Sequence, residues 1–168
     1  MGRTVRMVPP DWVHPEGKSL SEGFTQYHAY WIEARDQFDN GMVRDWGSSL
    51  EKAWKPKDAD EANLSFEEWT GPEPIASDYM PEWPAEVATH FMMYEKTSEG
   101  SPISPAFATP EELARWLTDN GASAFGGFTA TYEQWLSTIR RGFAPSMIFT
   151  VGHLDSGVAA LAEQETTA

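Results

Sequence analysis

The stretch from Asp58 to Glu95 constrains the fold of this chain most strongly, because it carries ten carboxylates and four prolines but no lysine or arginine. Each proline lacks a backbone N–H, so together they exclude a long helix or a central strand between residues 70 and 86. Trp69, Tyr79 and Trp83 lie among the acids, and such large side chains favour docking. Residues 70–86 are therefore expected to form either an ordered loop held by Tyr79 and Trp83 or a flexible segment.

The composition predicts a folded, strongly acidic protein. The 168 residues are enough for one ordinary domain, and 40% of them are hydrophobic, including eight tryptophans. The formal charge of −14 repels DNA, RNA and anionic membranes. It favours either solubility alone or attraction to a basic surface, such as the nucleic-acid-binding groove of another protein. The chain has no cysteine, no secretory leader and no apolar run of about 20 residues, so a cytoplasmic protein without disulfides is expected.

Before the acidic stretch, the sequence predicts one strand and two helices. Residues 3–8 fit a short strand with a solvated or intramolecularly paired Arg3 and Arg6. Apolar residues at gaps of three and four predict an amphipathic helix over residues 24–40, capped by Ser19 or Ser21. The same spacing predicts a second helix over residues 42–55, ended by Pro56. The two helices would then share an aromatic seam of Trp31, Phe38, Trp46 and Trp54.

Three capping boxes are the strongest local signals. Ser65 and Glu68 predict a helical turn, whereas Thr109 with Glu112 and Thr131 with Gln134 predict longer helices ending near Gly121 and Gly142. Strands are predicted over residues 88–95 and 143–151, with a possible edge strand over 103–107. After residue 152 the chain becomes small and polar, which predicts fraying.

These elements predict an α+β fold. Its parts would be an N-terminal helical half over residues 1–57, an acidic Pro/Trp segment over 58–86, a module over 87–152 and a flexible tail over 153–168. The module would combine a small, mostly antiparallel sheet with the two capped helices. One compact unit is expected.

The sequence contains no motif for catalysis or for cofactor binding. The four histidines are His14, His28, His90 and His153, and none belongs to a recognisable triad. His28 fits a boundary residue that makes one hydrogen bond. The Gly126-Gly127 pair lacks the lysine of a phosphate-binding loop, and the spacing of a calcium loop is missing. No catalytic residue, metal site or cofactor is predicted.

Four motifs in the C-terminal half resemble a known family. They are YEKTSEGSPISP over residues 94–105, FATPEELA over 107–114, the tripeptide at 124–126 and YEQWL over 132–136. They resemble the C-terminal module of a family of tailed-bacteriophage proteins of unassigned function, and the Arg-Thr-Val-Arg start resembles the family's opening. Longer relatives have zinc-ribbon cysteine pairs upstream, which this chain lacks. The resemblance implies a phage or prophage origin and a place in the host cytoplasm, and it transfers no catalytic residue.

A small acidic phage protein of this kind is similar in class to inhibitors of host defence, among them anti-restriction and anti-CRISPR proteins. The expected function is inhibition of a CRISPR effector complex through an acidic surface that mimics nucleic acid. One alternative is an accessory module of phage replication or assembly that docks through residues 97–136. Another is a small hydrolase that uses paired carboxylates. The predicted partner-binding residues are Glu33, Asp36, Asp39, Glu67, Glu68, Trp69, Glu73, Asp78, Tyr79, Glu82 and Trp83.

Overall fold

The computed structural model describes residues 2–48, 53–95, 100–150 and 153–166. Helices and small antiparallel sheets are combined in these residues, which confirms the α+β prediction. None of the described helices is long and apolar enough to cross a membrane. In chain order the elements are β1 Arg3–Val8, α1 Phe24–Asp39, β2 Met42–Arg44, β3 Trp54–Pro56, α2 Phe66–Thr70, β4 His90–Glu95, α3 Pro110–Asp119, α4 Tyr132–Arg141, β5 Phe143–Ala144, β6 Met147–Thr150, β7 His153–Ser156 and α5 Gly157–Thr166.

The chain divides into two compact units. The central unit is Ser21–Met80, and the terminal unit combines Met1–Leu20 with Pro81–Ala168. These boundaries differ from the predicted ones at residues 57 and 86. The terminal unit joins both ends of the chain because β1 pairs with β4 along its whole length, from Arg3↔Glu95 to Val8↔His90.

The N-terminal strand lies in the middle of its sheet, whose order is β4-β1-β5. This position buries Arg3 and Arg6, which are only 2% and 6% exposed. The Arg3 guanidinium is paired rather than solvated, with Nη1 at 3.3 Å from Glu95 Oε1. Arg6 Nη1 donates to the Leu20 carbonyl oxygen at 2.8 Å, and its guanidinium lies over the Tyr94 ring.

The helices of the terminal unit begin as predicted. The Thr109 and Thr131 hydroxyls accept the backbone N–H groups of Glu112 and Gln134, and both capping boxes are complete. Trp135, a residue of α4, is fully buried in the core of this unit.

The predicted fraying after residue 152 is wrong. Instead, β6 and β7 form a hairpin and α5 follows, with Val158 fully buried in the core of the terminal unit. Small residues allow this close packing: a Cβ built on Gly157 would lie 2.1 Å from the Pro145 carbonyl oxygen. The single strand predicted over residues 143–151 is divided into β5 and β6, and Val151 lies outside the described residues. The edge strand predicted over residues 103–107 contributes only one isolated bridge to β4, at Phe107, and Pro102 just before it forms another.

In the central unit, α1 confirms the first predicted helix, but its predicted serine cap is wrong. The N-cap is Gly23, which has a left-handed conformation with φ 78° and no side-chain cap. The second predicted helix is also wrong, because β2 and β3 form an antiparallel hairpin with Val43 paired to Lys55. Residues 49–52 of that prediction lie outside the described residues. The pairing of β2 with β3 and the burial of Val43 therefore outweigh the helical spacing of the apolar residues in this segment.

Candidate functional site

The central unit carries most of the charge of the chain. Its sixty residues contain thirteen acids and five bases, a net charge of −8. Nine of the eleven predicted partner-binding residues belong to this unit, whereas Glu82 and Trp83 belong to the terminal unit. The candidate site is therefore built within the central unit.

An aromatic core fixes the two helices that carry these acids. The rings of Trp31 and Phe66 lie 5.0 Å apart and those of Phe38 and Phe66 5.5 Å apart, both edge to face. Trp69 stacks on Phe38 at 5.5 Å, so this predicted partner-binding residue holds α2 against α1. The predicted seam is wrong at Trp46, which is 79% exposed at the end of β2. Phe66, and not Trp46, packs in this core.

On α1 the acids lie away from this core. An α-helix has 3.6 residues per turn, so Asp36 lies on the side opposite the buried stripe of Trp31, Ala34 and Phe38. Glu33 and Asp39 lie on either side of Asp36. Asp36 and Asp39 are exposed, and Glu33 is half-buried. The carboxylates of Asp36 and Asp39 make no hydrogen bond or ion pair with the described residues. Their charge is therefore directed to solvent.

On α2 the two acids have different surroundings. Glu68 closes the capping box, accepting from Ser65 N at 2.8 Å and from Ser65 Oγ at 2.7 Å. These bonds favour the charged carboxylate and lower the pKa of Glu68. Glu67 is exposed, and its carboxylate makes no hydrogen bond within the part of the chain that the structure describes. Thus Glu67 projects its charge outward, whereas Glu68 also stabilises the helix start.

The segment that follows α2 adopts the ordered form of the two predicted alternatives. Ser21 forms a parallel bridge with Tyr79: Ser21 N donates to the Asp78 carbonyl oxygen at 3.0 Å, and Met80 N donates to the Ser21 carbonyl oxygen at 2.7 Å. Met80 is buried. The backbone on both sides of Tyr79 is therefore fixed against the start of α1.

The Tyr79 ring belongs to a surface row of aromatic side chains, here called the aromatic row. Tyr79 lies 5.3 Å from Phe24 and 6.3 Å from Tyr27, with ring planes 27° apart in the second pair. Tyr27 continues the row to Tyr30 at 6.4 Å, and Phe24 stacks on His28 at 5.2 Å. The members are Phe24, Tyr27, His28, Tyr30 and Tyr79.

Carboxylates border this row. His28 Nε2 donates to Glu73 Oε1 at 3.0 Å, which confirms His28 as a boundary residue with one hydrogen bond. Asp78 directly precedes Tyr79 and is exposed. Burial raises the pKa of Tyr79, so its phenol stays neutral at physiological pH. The structure thus brings together the predicted residues Glu73, Asp78 and Tyr79.

No protein-family model, curated protein or solved structure matches this chain.

Sequence reasoning missed most of the aromatic row. Tyr27 fits the apolar spacing of α1, which is typical of a buried residue, yet it is 42% exposed. A signal was available in the sequence, because four aromatic or histidine residues fall within the first two turns of α1. They cover a wider sector of the helix than one buried stripe does. In the terminal unit, Trp83 packs against Trp12 at 4.7 Å, and Glu82 is exposed beside it in sequence.

Two grooves are found among the described residues of the terminal unit, and neither is lined by a pair of carboxylates. One, of about 440 Å³, is lined by Glu133, Leu136, Ser137, Arg140 and Arg141. Another, of about 480 Å³, is lined by residues 14–19, 101 and 102, among which Glu16 is the single acid. Among the described residues, no group of three or more His, Asp or Glu side chains is placed to hold a metal ion.

Proposed function

We propose that this protein inhibits a bacterial defence system by binding the nucleic-acid groove of a CRISPR effector complex through the acidic surface of its central unit. To that surface we assign the exposed carboxylates of Asp36, Asp39, Glu67, Glu68, Glu73 and Asp78, together with Glu33 on α1. The observation that carries the proposal is a charge of −8 on sixty residues whose acidic helices share one aromatic core. A phage origin rests on the resemblance of the C-terminal motifs.

The spacing of the α1 acids suits mimicry of a phosphate backbone. Glu33, Asp36 and Asp39 are three residues apart, so their Cα atoms rise by about 4.5 Å per step along the helix axis. Phosphates of one DNA strand are separated by about 3.4 Å along the duplex axis. A rigid row of carboxylates at similar spacing can therefore occupy arginines and lysines that normally bind phosphate, without the cost of ordering a flexible acidic tail.

Charge reversal tests this proposal directly. The triple variant Asp36→Lys, Asp39→Lys, Glu67→Lys changes exposed carboxylates that make no hydrogen bond with the described residues, so the fold should be retained. A matched control reverses three exposed acids of the terminal unit: Asp11→Lys, Glu86→Lys, Asp119→Lys. Both variants change the net charge by the same amount.

The readout is plating of a CRISPR-targeted phage on immune host strains that express each variant. Competition between the protein and a labelled target DNA for the purified effector gives the affinity. We expect wild type and control to inhibit interference, and the central-unit variant to bind at least about tenfold more weakly with a shallower salt dependence. Equal inhibition by both variants would refute the acidic-surface mechanism and favour docking through the terminal unit.

A further inference from the structure

The aromatic row is not needed to mimic phosphate, and it indicates which basic side chains the surface receives. We infer that the aromatic row, with Glu73 and Asp78 at its border, is a subsite that selects arginine over lysine on a basic protein partner. This inference rests on the proposed function, because it specifies the chemistry of the partner at the same acidic surface.

Part of the aromatic row lies outside the core of the unit. That core is formed by Trp31, Ala34, Phe38, Val43 and Phe66, and Tyr30 packs against it. Tyr27 lies outside this set of buried residues and leaves 42% of its surface exposed, between Tyr79 and Tyr30 at 6.3 and 6.4 Å. The ring plane of Tyr27 lies 27° from that of Tyr79 and 31° from that of Tyr30, whereas the planes of Phe24 and Tyr79 are 59° apart. Tyr27 is therefore the exposed ring on which a partner side chain can stack.

A guanidinium fits such a surface better than an ammonium group does. The guanidinium is planar and weakly hydrated, and it stacks on aromatic faces while its N–H groups remain available to carboxylates. Lysine presents a compact, strongly hydrated charge, so contact with an aromatic ring adds less binding free energy for lysine than for arginine. Glu73 and Asp78 are exposed at the border of the row, where a stacked guanidinium could donate to either of them.

The subsite is formed before any partner binds. The bridge between Ser21 and Tyr79 fixes the backbone under the Tyr79 ring, and the bond from His28 Nε2 to Glu73 Oε1 fixes that carboxylate. Little side-chain freedom is then lost on binding, which favours affinity. The negative charge of the unit favours a cation as the occupant, and the exposed Tyr27 ring favours arginine over lysine.

Two synthetic peptides of equal length and charge, oligo-arginine and oligo-lysine, test the inference on the full chain. Binding is measured by titration calorimetry at one fixed ionic strength. We expect wild type to bind oligo-arginine about tenfold more tightly than oligo-lysine, a difference of about 1.4 kcal/mol in binding free energy. Tyr27→Ala should reduce this preference to about threefold or less, and Tyr27→Phe should retain it. Ile32→Ala, which changes another exposed residue on α1, is the matched control and should retain it also.

Circular dichroism confirms that each variant is folded before binding is compared. If wild type binds both peptides equally, or if Tyr27→Ala keeps the full preference, the arginine subsite is refuted while the acidic surface stands. If the triple reversal at Asp36, Asp39 and Glu67 weakens both peptides alike and leaves their ratio unchanged, charge and selectivity are separable, as inferred. If wild type binds neither peptide, the acidic surface and the subsite fail together.

Discussion

Replacing Phe66 by alanine should unfold the central unit and remove the acidic surface with it. Phe66 is 7% exposed and lies against the rings of Trp31, Phe38 and Trp69 at 5.0, 5.5 and 6.0 Å. It is also the first residue of α2, so its side chain attaches Glu67 and Glu68 to α1. An acidic segment that belonged only to a solvated loop would not depend on this residue.

The expected loss is comparable with the whole stability of the unit. A buried Phe→Ala change costs about 3–5 kcal/mol through lost burial and the cavity that remains. Globular domains have about 0.05–0.15 kcal/mol of unfolding free energy per residue, which gives about 3–9 kcal/mol for a unit of this size. The conservative change Phe66→Leu keeps most of the volume and should cost less than about 1.5 kcal/mol.

Urea unfolding followed by tryptophan fluorescence measures the loss, and regional hydrogen exchange locates it. Trp46→Ala is the matched control, because an exposed side chain away from the core should change the unfolding free energy by no more than about 0.5 kcal/mol. Amides of residues 24–39 should lose protection in Phe66→Ala. If its urea midpoint shifts no more than that of Trp46→Ala, the packing argument for α2 is wrong.

Two further predictions concern other parts of the chain. Gly157→Ala should destabilise the protein by about 1–3 kcal/mol in thermal unfolding, because the alanine Cβ would clash with the Pro145 carbonyl oxygen. The control Gly127→Ala should leave the stability nearly unchanged, because no atom lies within 4 Å of the position of the added Cβ. The lowered pKa of Glu68 means that its bonds to Ser65 stabilise the fold at neutral pH and are lost as the pH falls through the folded-state pKa. Glu68→Gln should therefore flatten the acid limb of a stability-against-pH curve, and an unchanged limb would contradict this assignment.

The capping boxes show what local sequence decides. At Ser65, Thr109 and Thr131 the hydroxyl reaches a backbone N–H three residues later, and both partners are present in the same short peptide. The first helix follows from the spacing of its apolar residues in the same way. These elements form where the sequence predicted them, because the interactions that define them span only a few residues.

The predicted helix over residues 42–55 and the predicted fraying tail failed for the opposite reason. Val43 fits a helical stripe and also fits a strand, and its pairing with Lys55 twelve residues away decides between them. The tail is small and polar, yet β7 and α5 form because they meet β6 and the core around Val158. Neither partner can be identified from the local pattern.

The sequence by itself determined the α+β class, the strong negative charge and the starts of the three helices with capping boxes. It also supplied most of the acidic residues assigned to the candidate site. Only the tertiary structure decided that Arg3 lies buried in a middle strand, that Trp69 belongs to the core and that Tyr27 does not. It also brought Glu73, Asp78 and Tyr79 to the start of α1, across about fifty residues of chain. Charge and capping are properties of short peptides, whereas burial depends on which distant segment a side chain meets.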